Sequence, residues 1–310
     1  MKKIMISMVC LMITGIQCLN AENTKIILQH NGAVSLYSAY QTAEVLKDAV
    51  DGDTIYFNEG NFAGDITISK KLTLIGAGDQ KSIISGGVTI RIGEGGETLT
   101  TRLMEGLKIT GTITIGKSIK GLQIRKCVFD SIEFTASIED GKIDRCLCMG
   151  NFYLSENVKS LIVNNSAINK VQLNSPSAES VVFSNCNILS NDYCQVTYLN
   201  CIIGRFGSGS KYATTTYINC LCNGNGYTIS DNNGCWNYGT TILRNDYSCI
   251  LTSNELLEKG YIGIDGKVVG YNGGETPYTL TVNSPKITDF SSSVDPETRK
   301  VTINLKVTNE

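Results

Sequence analysis

Residues 181–188 read VVFSNCNI, and this stretch is one unit of the repeat that decides the fold. Each unit has an apolar residue three positions before a cysteine or serine and another apolar residue or cysteine two positions after it. A spacing close to twenty residues is typical of one coil of a β-solenoid, whose coils stack at about 4.8 Å. The other units are LQIRKCVF (122–129), GKIDRCLC (141–148), LIVNNSAI (161–168), TYLNCII (197–203) and TYINCLC (216–222).

The aligned units predict which side chains lie inside the coil. With the central cysteine or serine numbered 0, positions −3, 0 and +2 form three inward columns. Cysteine behaves in such a narrow interior as a small hydrophobic residue, so a column of cysteines is expected to be structural. Position 0 holds Cys127, Cys146, Ser166, Cys186, Cys201 and Cys220.

Position −1 predicts the bends between strands. Asparagine fills it in four successive units, and asparagine tolerates the left-handed backbone conformation that a sharp bend requires. We also expect stacked amides to hydrogen-bond from coil to coil. The four residues are Asn165, Asn185, Asn200 and Asn219.

The segment that precedes the repeat carries a family resemblance. Residues 35–62 read SLYSAYQTAEVLKDAVDGDTIYFNEGNF, and KKLTLIGAG follows at 70–78. These elements resemble the first coils of pectin lyase-like, right-handed parallel β-helix proteins. The resemblance covers roughly residues 35–250 and implies an all-β, single-stack fold. It implies no particular activity, because lyases, hydrolases, adhesins and inert scaffolds share this fold.

In that family a short helix covers the open end of the solenoid. Here the helix is predicted over about residues 39–50, and Ser38 and Gln41 have the spacing of a capping box. An apolar stripe on this helix is expected to cover the core. The stripe consists of Leu36, Tyr40, Ala43, Leu46 and Val50.

The two ends of the chain differ from the repeat. Residues 1–21, MKKIMISMVCLMITGIQCLNA, predict a secretory signal peptide, and Gln17 disfavours lipoprotein anchoring at Cys18. We therefore expect a secreted or cell-surface protein without a membrane span. Residues 22–250 are predicted to form the β-helix with its N-terminal cap. Residues 251–310, which contain the alternating strand KVTINLKV (300–307), are predicted to form a small C-terminal β cap.

Charge restricts the class of partner. The chain has 27 Lys and Arg against 29 Asp and Glu, and it lacks a basic run. Nucleic acid is therefore an unexpected partner, whereas a polysaccharide or a cell-surface molecule is compatible with this composition. We also predict a monomer.

The cysteines are predicted to be mostly free, buried thiols. A large repeat core does not need disulfides, and stacked cysteines have parallel Cβ directions that do not suit bridging. Cys194, Cys235 and Cys249 are assigned off the columns and are the expected exceptions. The C-x-C pairs do not fit a zinc site, so no metal cofactor is predicted from them. His30, the one histidine, lies before the coils and is not expected to activate a nucleophile.

Polysaccharide cleavage is the main catalytic alternative. The lyases and hydrolases of the family that this chain resembles carry characteristic motifs, and the chain has none of those known for pectate lyases or polygalacturonases. Acids on neighbouring coils offer paired carboxylates or a calcium site, although solvated turn residues are the other interpretation. β-Elimination by a lysine or arginine also stays open. The acids are Asp130, Glu133 and Asp144, with Glu139 and Asp140 nearby.

Aromatic residues near the end of the repeat suggest a binding surface. Sugars stack on exposed rings, but a lone tryptophan packed beneath a loop is an equal alternative. We predict an exported, non-catalytic β-helix that binds a glycan or surface partner or serves as a scaffold. The alternatives are a divergent polysaccharide lyase or hydrolase and an adhesin or assembly module. The candidate binding residues are Tyr193, Phe206, Tyr212, Tyr227, Trp236 and Tyr238.

Overall fold

The computed structural model shows a β-solenoid built from parallel stacked coils. It describes residues 25–93, 97–98, 103–173, 180–192, 196–206, 215–223, 233–281, 286–294 and 301–308. The predicted signal peptide lies outside this part of the chain. The all-β solenoid predicted from the repeat is therefore confirmed.

Sheet A has eleven strands, and all of them from β3 onward pair in parallel. Its strands carry numbers in chain order. In spatial order they are β2 (Ala33–Ser38), β1 (Lys25–His30), β3 (Thr54–Phe57), β6 (Thr73–Gly76), β10 (Met104–Glu105), β13 (Gln123–Arg125), β16 (Gly141–Asp144), β18 (Leu161–Asn164), β20 (Val181–Ser184), β22 (Thr197–Leu199) and β24 (Thr216–Ile218).

Sheets B and C complete the coils, and they too are parallel. Sheet B contains β4 (Gly60–Ala63), β5 (Ile66–Ile68), β7 (Ser82–Ser85), β8 (Val88–Ile90), β11 (Lys108–Ile115), β14 (Val128–Phe134), β17 (Leu147–Leu154), β19 (Ala167–Leu173), β21 (Asn187–Asn191), β23 (Ile202–Ile203), β25 (Leu221–Asn223) and β26 (Trp236–Tyr238). Sheet C contains β9 (Glu97–Thr98), β12 (Ile119–Lys120) and β15 (Ile138–Glu139).

The strand register confirms the three inward columns. Ile124, Ile143 and Val163 are direct partners at position −3, and Phe183, Tyr198 and Tyr217 continue that column. At position +2, Phe129 pairs with Cys148 and the column continues through four more coils. The position 0 residues are all buried. One assignment is wrong: Cys235 extends column 0, because Trp236 pairs with Leu221 and thus sets Cys235 beside Cys220.

Aromatic rings stack inside the later coils. The rings of Phe183 and Tyr198 are 5.2 Å apart, and those of Tyr198 and Tyr217 are 5.3 Å apart. Both pairs are near parallel and come from adjacent coils, so the strand spacing itself sets the ring spacing. Phe152 on sheet B meets Phe183 edge-on across the interior.

The bends adopt the predicted left-handed conformation. The four asparagines of position −1 have φ between 44° and 55°, and so do Lys126 and Arg145 in the two preceding units. Most of these amides do not bond to one another. Asn165 Nδ2 donates to the carbonyls of Tyr271 and Gly273, and Asn200 Oδ1 accepts from the Ile264 amide. The expected coil-to-coil ladder of amides is therefore replaced, among the described residues, by contacts with the C-terminal segment.

Asn200 allows a direct test of this corner. Asn200→Ala is expected to lower the free energy of unfolding by about 2 kcal/mol, because alanine is strained at φ 55° and the bond to Ile264 is lost. Asn200→Gly removes the same bond without the strain and should cost about half as much. Urea unfolding of both variants measures the difference. Equal losses would contradict the assigned role of the backbone conformation.

The N-terminal end is closed by a hairpin and a helix. Strands β1 and β2 pair antiparallel, and β1 pairs antiparallel with β3, the first strand of the coils. Helix α1 (Thr42–Asp48) follows β2 and is shorter than predicted. Its N-cap is Gln41 rather than Ser38, although the Gln41 side chain does accept a hydrogen bond from the Ser38 amide.

The predicted apolar stripe of this helix is wrong. Leu36, Tyr40 and Val50 are 66%, 77% and 46% exposed, and Ala43 is exposed too. Because α1 starts three residues later than expected, a different set of side chains faces the core. The buried set is Ala39, Thr42, Val45 and Ala49, with Leu46 half-buried.

The C-terminal segment runs back along the side of the solenoid. Helix α2 (Ser253–Glu258) begins with a capping box between Thr252 and Glu255, and its Leu256 joins an apolar cluster on the outer face of sheet B. Residues 264–281, called the strap below, then follow the line of bends from Asn200 back to Lys126.

Beyond the strap, the chain ends in an antiparallel pair, β27 (Lys286–Val294) and β28 (Val301–Thr308). The capping role proposed for residues 251–310 stays a prediction. None of the described helices has the length and apolar character needed to cross a bilayer.

Candidate functional site

A row of charged residues crosses three coils on the outer face of sheet A. Glu105, Arg125 and Asp144 are direct partners in register and stand at position −2 of their units. Side chains alternate along a strand, so the inward position −3 forces position −2 outward. Stacking therefore sets opposite charges side by side at the strand spacing.

Asp144 is the centre of this cluster. Its Oδ2 accepts hydrogen bonds from Arg145 Nη2 at 2.7 Å and from Arg145 Nε at 3.0 Å. Arg125 Nε lies 3.5 Å from Asp144 Oδ2 and 3.8 Å from Glu105 Oε1. These two distances are ion-pair distances but are too long for good hydrogen bonds. The Arg125 Nε atom is thus buried without a hydrogen-bond partner.

The cluster is buried although it lies outside the coil. Glu105, Asp144 and Arg145 are 7%, 6% and 9% exposed. The strap supplies part of the cover: Thr276 reaches the cluster, and Lys126 Nζ donates to the Thr281 carbonyl at 2.6 Å. A buried charge group that is not fully hydrogen-bonded is costly, which makes this the least expected feature of the surface.

A cavity of about 220 Å³ opens beside the cluster. Three cations and one anion line it, so its charge is positive in excess. Gln123 and Thr276 add neutral hydrogen-bonding groups to the lining. The charged residues are Arg125, Lys142, Arg145 and Asp144.

Two features of its surroundings make the guanidinium of Arg125 easier to deprotonate. Burial lowers the pKa of the Arg125 guanidinium, and the charge of Arg145 lowers that pKa further, while Asp144 acts in the opposite direction.

The structure does not bring the predicted acidic residues together. Asp130 and Glu133 lie on β14 in sheet B, Glu139 lies on β15 in sheet C, and Asp144 lies on β16 in sheet A. Asp140 occupies the turn after β15 and forms an exposed ion pair with Lys120. Three different faces of the coil thus carry these carboxylates.

Metal binding gains no support from this arrangement. Within the described ranges, no group of three or more His, Cys, Asp or Glu residues is placed to hold a metal ion. His30 ends β1, where its Nδ1 lies 2.6 Å from Asp53 Oδ1 in the N-terminal hairpin.

The described aromatic candidates pack against protein. Trp236 meets Tyr261 edge-on at 5.5 Å, and Tyr238 joins the same apolar cluster beneath the C-terminal segment. Phe206 packs edge-on against Tyr217. All three are half-buried. Tyr193, Tyr212 and Tyr227 lie outside the described residues.

The thiols of the columns are structural. The nine described cysteines are free, and seven of them are buried. Burial raises the pKa of Cys127 to about 12 and raises the pKa values of Cys146, Cys201 and Cys220 well above the ordinary value. A thiol that does not ionise is neither a nucleophile nor a metal ligand.

Comparison with known proteins leaves the site without a precedent: the chain matches no protein-family model, no curated protein and no solved structure. Sequence reasoning named Asp144 but missed its partners Glu105, Arg125 and Arg145 as a site. Part of the signal was present in the alignment, because position −2 holds Arg125 and Asp144 in successive units, whereas Glu105 precedes the first aligned unit.

Proposed function

We propose that this protein is an exported β-solenoid of the right-handed, pectin lyase-like type that binds an acidic polysaccharide without cleaving it. The observation that carries the proposal is the cationic cavity on sheet A, with Arg125 and Arg145 held on either side of Asp144. The N-terminal pattern of two lysines and an apolar run supports export.

Arginine suits this role for a geometric reason. Its planar guanidinium offers paired N–H donors that match the two oxygens of a carboxylate or the oxygens of a sulfate. Arg145 already uses two of its donors on Asp144, whereas Arg125 Nε has no hydrogen bond. Nε itself is buried, but the Arg125 side chain is 31% exposed, so an anionic group in the cavity can approach its terminal N–H groups and compensate its charge.

The size of the cavity fits one sugar unit rather than a whole chain. A volume of 220 Å³ holds about seven water molecules in the liquid. Gln123 and Thr276 lie at its rim, where they can bond to sugar hydroxyls. Neighbouring units of a polymer would then lie along the outer face of sheet A.

Arg125→Gln tests the proposal. We expect the variant to bind polygalacturonate about thirtyfold more weakly than the wild type, since a charge-assisted hydrogen bond is worth about 2 kcal/mol. Affinity electrophoresis in gels containing polygalacturonate measures the effect, and neutral galactan gels serve as the polymer control. Lys120→Gln is the matched variant, because Lys120 is an exposed cation on sheet C.

Two results would contradict the proposal. One is the absence of retardation of the wild type by polygalacturonate, alginate and a sulfated polymer alike. The other is an equal loss of binding in Arg125→Gln and Lys120→Gln, which would indicate a general charge effect.

A polysaccharide lyase is the second candidate, because two basic side chains, Arg125 and Lys142, line the same cavity. A basic side chain there would take the proton α to a uronate carboxylate, the glycosidic C–O bond at the β carbon would break, and the departing oxygen would take up a proton, which leaves an unsaturated sugar end. The same polymers therefore need a second readout, the ultraviolet absorbance of unsaturated ends. Product formation that is abolished in Arg125→Gln would replace binding by catalysis as the function.

A further inference from the structure

Within the part of the chain that the structure describes, strand β2 forms a free edge at the N-terminal end of sheet A. It is the last strand of the eleven, with β1 on its one paired side. Val34 and Leu36 on this strand are 60% and 66% exposed, and Tyr40 just after it is 77% exposed. Large apolar side chains on an unpaired edge strand favour the addition of another strand at that edge.

The edge lacks the usual protection against such pairing. Natural edge strands are commonly blunted by charged residues, proline, a bulge or a covering loop. Residues 31–43 contain no charged residue and no proline. The pairing of β2 with β1 is also regular over six residues, without a bulge.

The turn between β1 and β2 defines which backbone groups face the free edge. Asn31 and Gly32 have φ of 47° and 82°, as in a two-residue hairpin turn, and His30 and Ala33 flank them as partners. Residues flanking such a turn bond to each other, so alternate residues point their backbone groups away. On β2 those residues are Val34, Leu36 and Ser38, and the N–H and C=O of Ser38 already bond to Gln41.

We propose that β2 pairs antiparallel with β2 of a second copy of this chain, around a two-fold axis at Ser35. In this register Val34 of each copy lies opposite Leu36 of the other, and the outward backbone groups of both residues are satisfied. Shifting the axis to Leu36 would require the backbone groups of Ser38, which Gln41 occupies.

Charge and symmetry favour a second copy of this chain, rather than a different protein, as the partner of strand β2. A two-fold contact sets identical strands side by side, so any charge on the strand would lie near its own like charge. The uncharged segment 31–43 avoids this repulsion completely. The contact is closed, because a two-fold axis sets the same edge of β2 in both copies, and it joins two eleven-stranded sheets end to end.

The dimer, which departs from the monomer predicted from the sequence, is expected to be weak. Pairing of one short strand buries less than the roughly 1,000 Å² that stable interfaces exceed, so association should depend on protein concentration in the micromolar range. Sedimentation velocity over a concentration series measures this equilibrium. Leu36→Lys should raise the dimer dissociation constant by about tenfold or more, since it removes two cross-strand apolar pairs.

Ile264→Lys is the matched control, because Ile264 is 67% exposed and lies far along the chain on the strap. It should leave the dissociation constant unchanged. A wild type that stays monomeric at all concentrations overturns the proposal, as does an equal effect of the two lysine variants. A strand from a different protein as the occupant would give the first of these results.

Cysteine cross-linking tests the register. With the axis at Ser35, the two Ser35 Cα atoms should lie about 4.5 Å apart, so Ser35→Cys should form an intermolecular disulfide under mild oxidation. The two Ala33 residues would be about 13 Å apart, and Ala33→Cys should not cross-link. Cross-linking of both variants or of neither overturns the register.

Discussion

Raising the pH from 8 to about 10 is expected to unfold this protein. Among the buried cysteines of the inner columns, six have a thiol pKa that is raised mainly by burial. In the unfolded chain the same thiols ionise near pH 8.5. The six are Cys127, Cys146, Cys148, Cys201, Cys220 and Cys222.

The direction of the effect follows from proton binding. Below about pH 8.5 the thiols are protonated in both states, and their contribution to stability is fully present. Above that pH the unfolded chain loses protons that the folded chain keeps, so the free energy of unfolding falls until the folded pKa is reached. That pKa is about 12 for Cys127. Each thiol lowers the free energy of unfolding by about 1.4 kcal/mol per pH unit in this window.

Six thiols together give a fall of about 8 kcal/mol per pH unit, against a total stability of about 5–15 kcal/mol for an ordinary protein. Circular dichroism during a pH titration, with reductant present, should therefore show cooperative unfolding. Thiolate absorbance should rise in the same transition rather than before it. Gradual ionisation without loss of structure would contradict the assignment of these thiols to a dry interior.

Serine substitutions provide the control, because the repeat already contains one. Ser166 occupies column 0, where its hydroxyl donates to the Asn164 carbonyl and accepts from the Cys146 amide. Cys127→Ser with Cys201→Ser should thus preserve the coil and reduce the pH slope by about 3 kcal/mol per pH unit. Cys235→Ser, at a half-exposed position of the same column, should change the slope much less.

Asp144→Asn is expected to lower the free energy of unfolding by about 3 kcal/mol near neutral pH. The substitution preserves the shape of the side chain but removes the negative charge between Arg125 and Arg145. Both guanidinium groups then lie close together on a buried surface, with Glu105 at 3.8 Å from Arg125 as the nearest remaining carboxylate in the cluster. Urea unfolding measures the loss.

The next coil supplies the rescuing variant. It carries Asn164 and Asn165 where this coil carries Asp144 and Arg145, in the same register and with the same left-handed bend. The double variant Asp144→Asn, Arg145→Asn should therefore recover most of the stability, since no buried charge is left unpaired. Asp140→Asn, which breaks an exposed ion pair with Lys120 and keeps a residue type that tolerates the φ of 52° at this position, should cost less than about 0.5 kcal/mol. A double variant no more stable than Asp144→Asn would show that charge is not the cause.

The register of the coils was predictable because it is a local and periodic property. The interior of a narrow coil accepts small and medium apolar side chains at fixed positions, and each unit repeats this demand. The pairing of Phe183 with Tyr198 and the left-handed bend at Asn185 follow from the alignment alone. Lys126 and Arg145 share that bend although their residue types do not favour it, because the stacked coils on either side impose the path.

The bounds and the buried face of the N-terminal helix were predicted incorrectly from the local sequence pattern. Two different sets of residues in this segment have helical spacing. The set that contains Leu36 and Tyr40 was predicted to face the core. The chain instead uses Leu36 in strand β2, and the helix begins only at Thr42. Residues 39–41, which were predicted to be helical, lie outside the helix, because the chain before them forms strand β2 and pairs with β1 across the turn.

By itself, the sequence determined the solenoid, its inward columns, its bends and the structural role of the cysteines, since all of these repeat from coil to coil. Only the tertiary structure decided the site. Stacking brings Glu105, Arg125 and Asp144 into one row, and the strap covers the row from residues far away in the chain, as the bond between Lys126 and Thr281 shows. A contact between such distant residues depends on the whole path of the chain, and no local pattern in the repeat encodes that path.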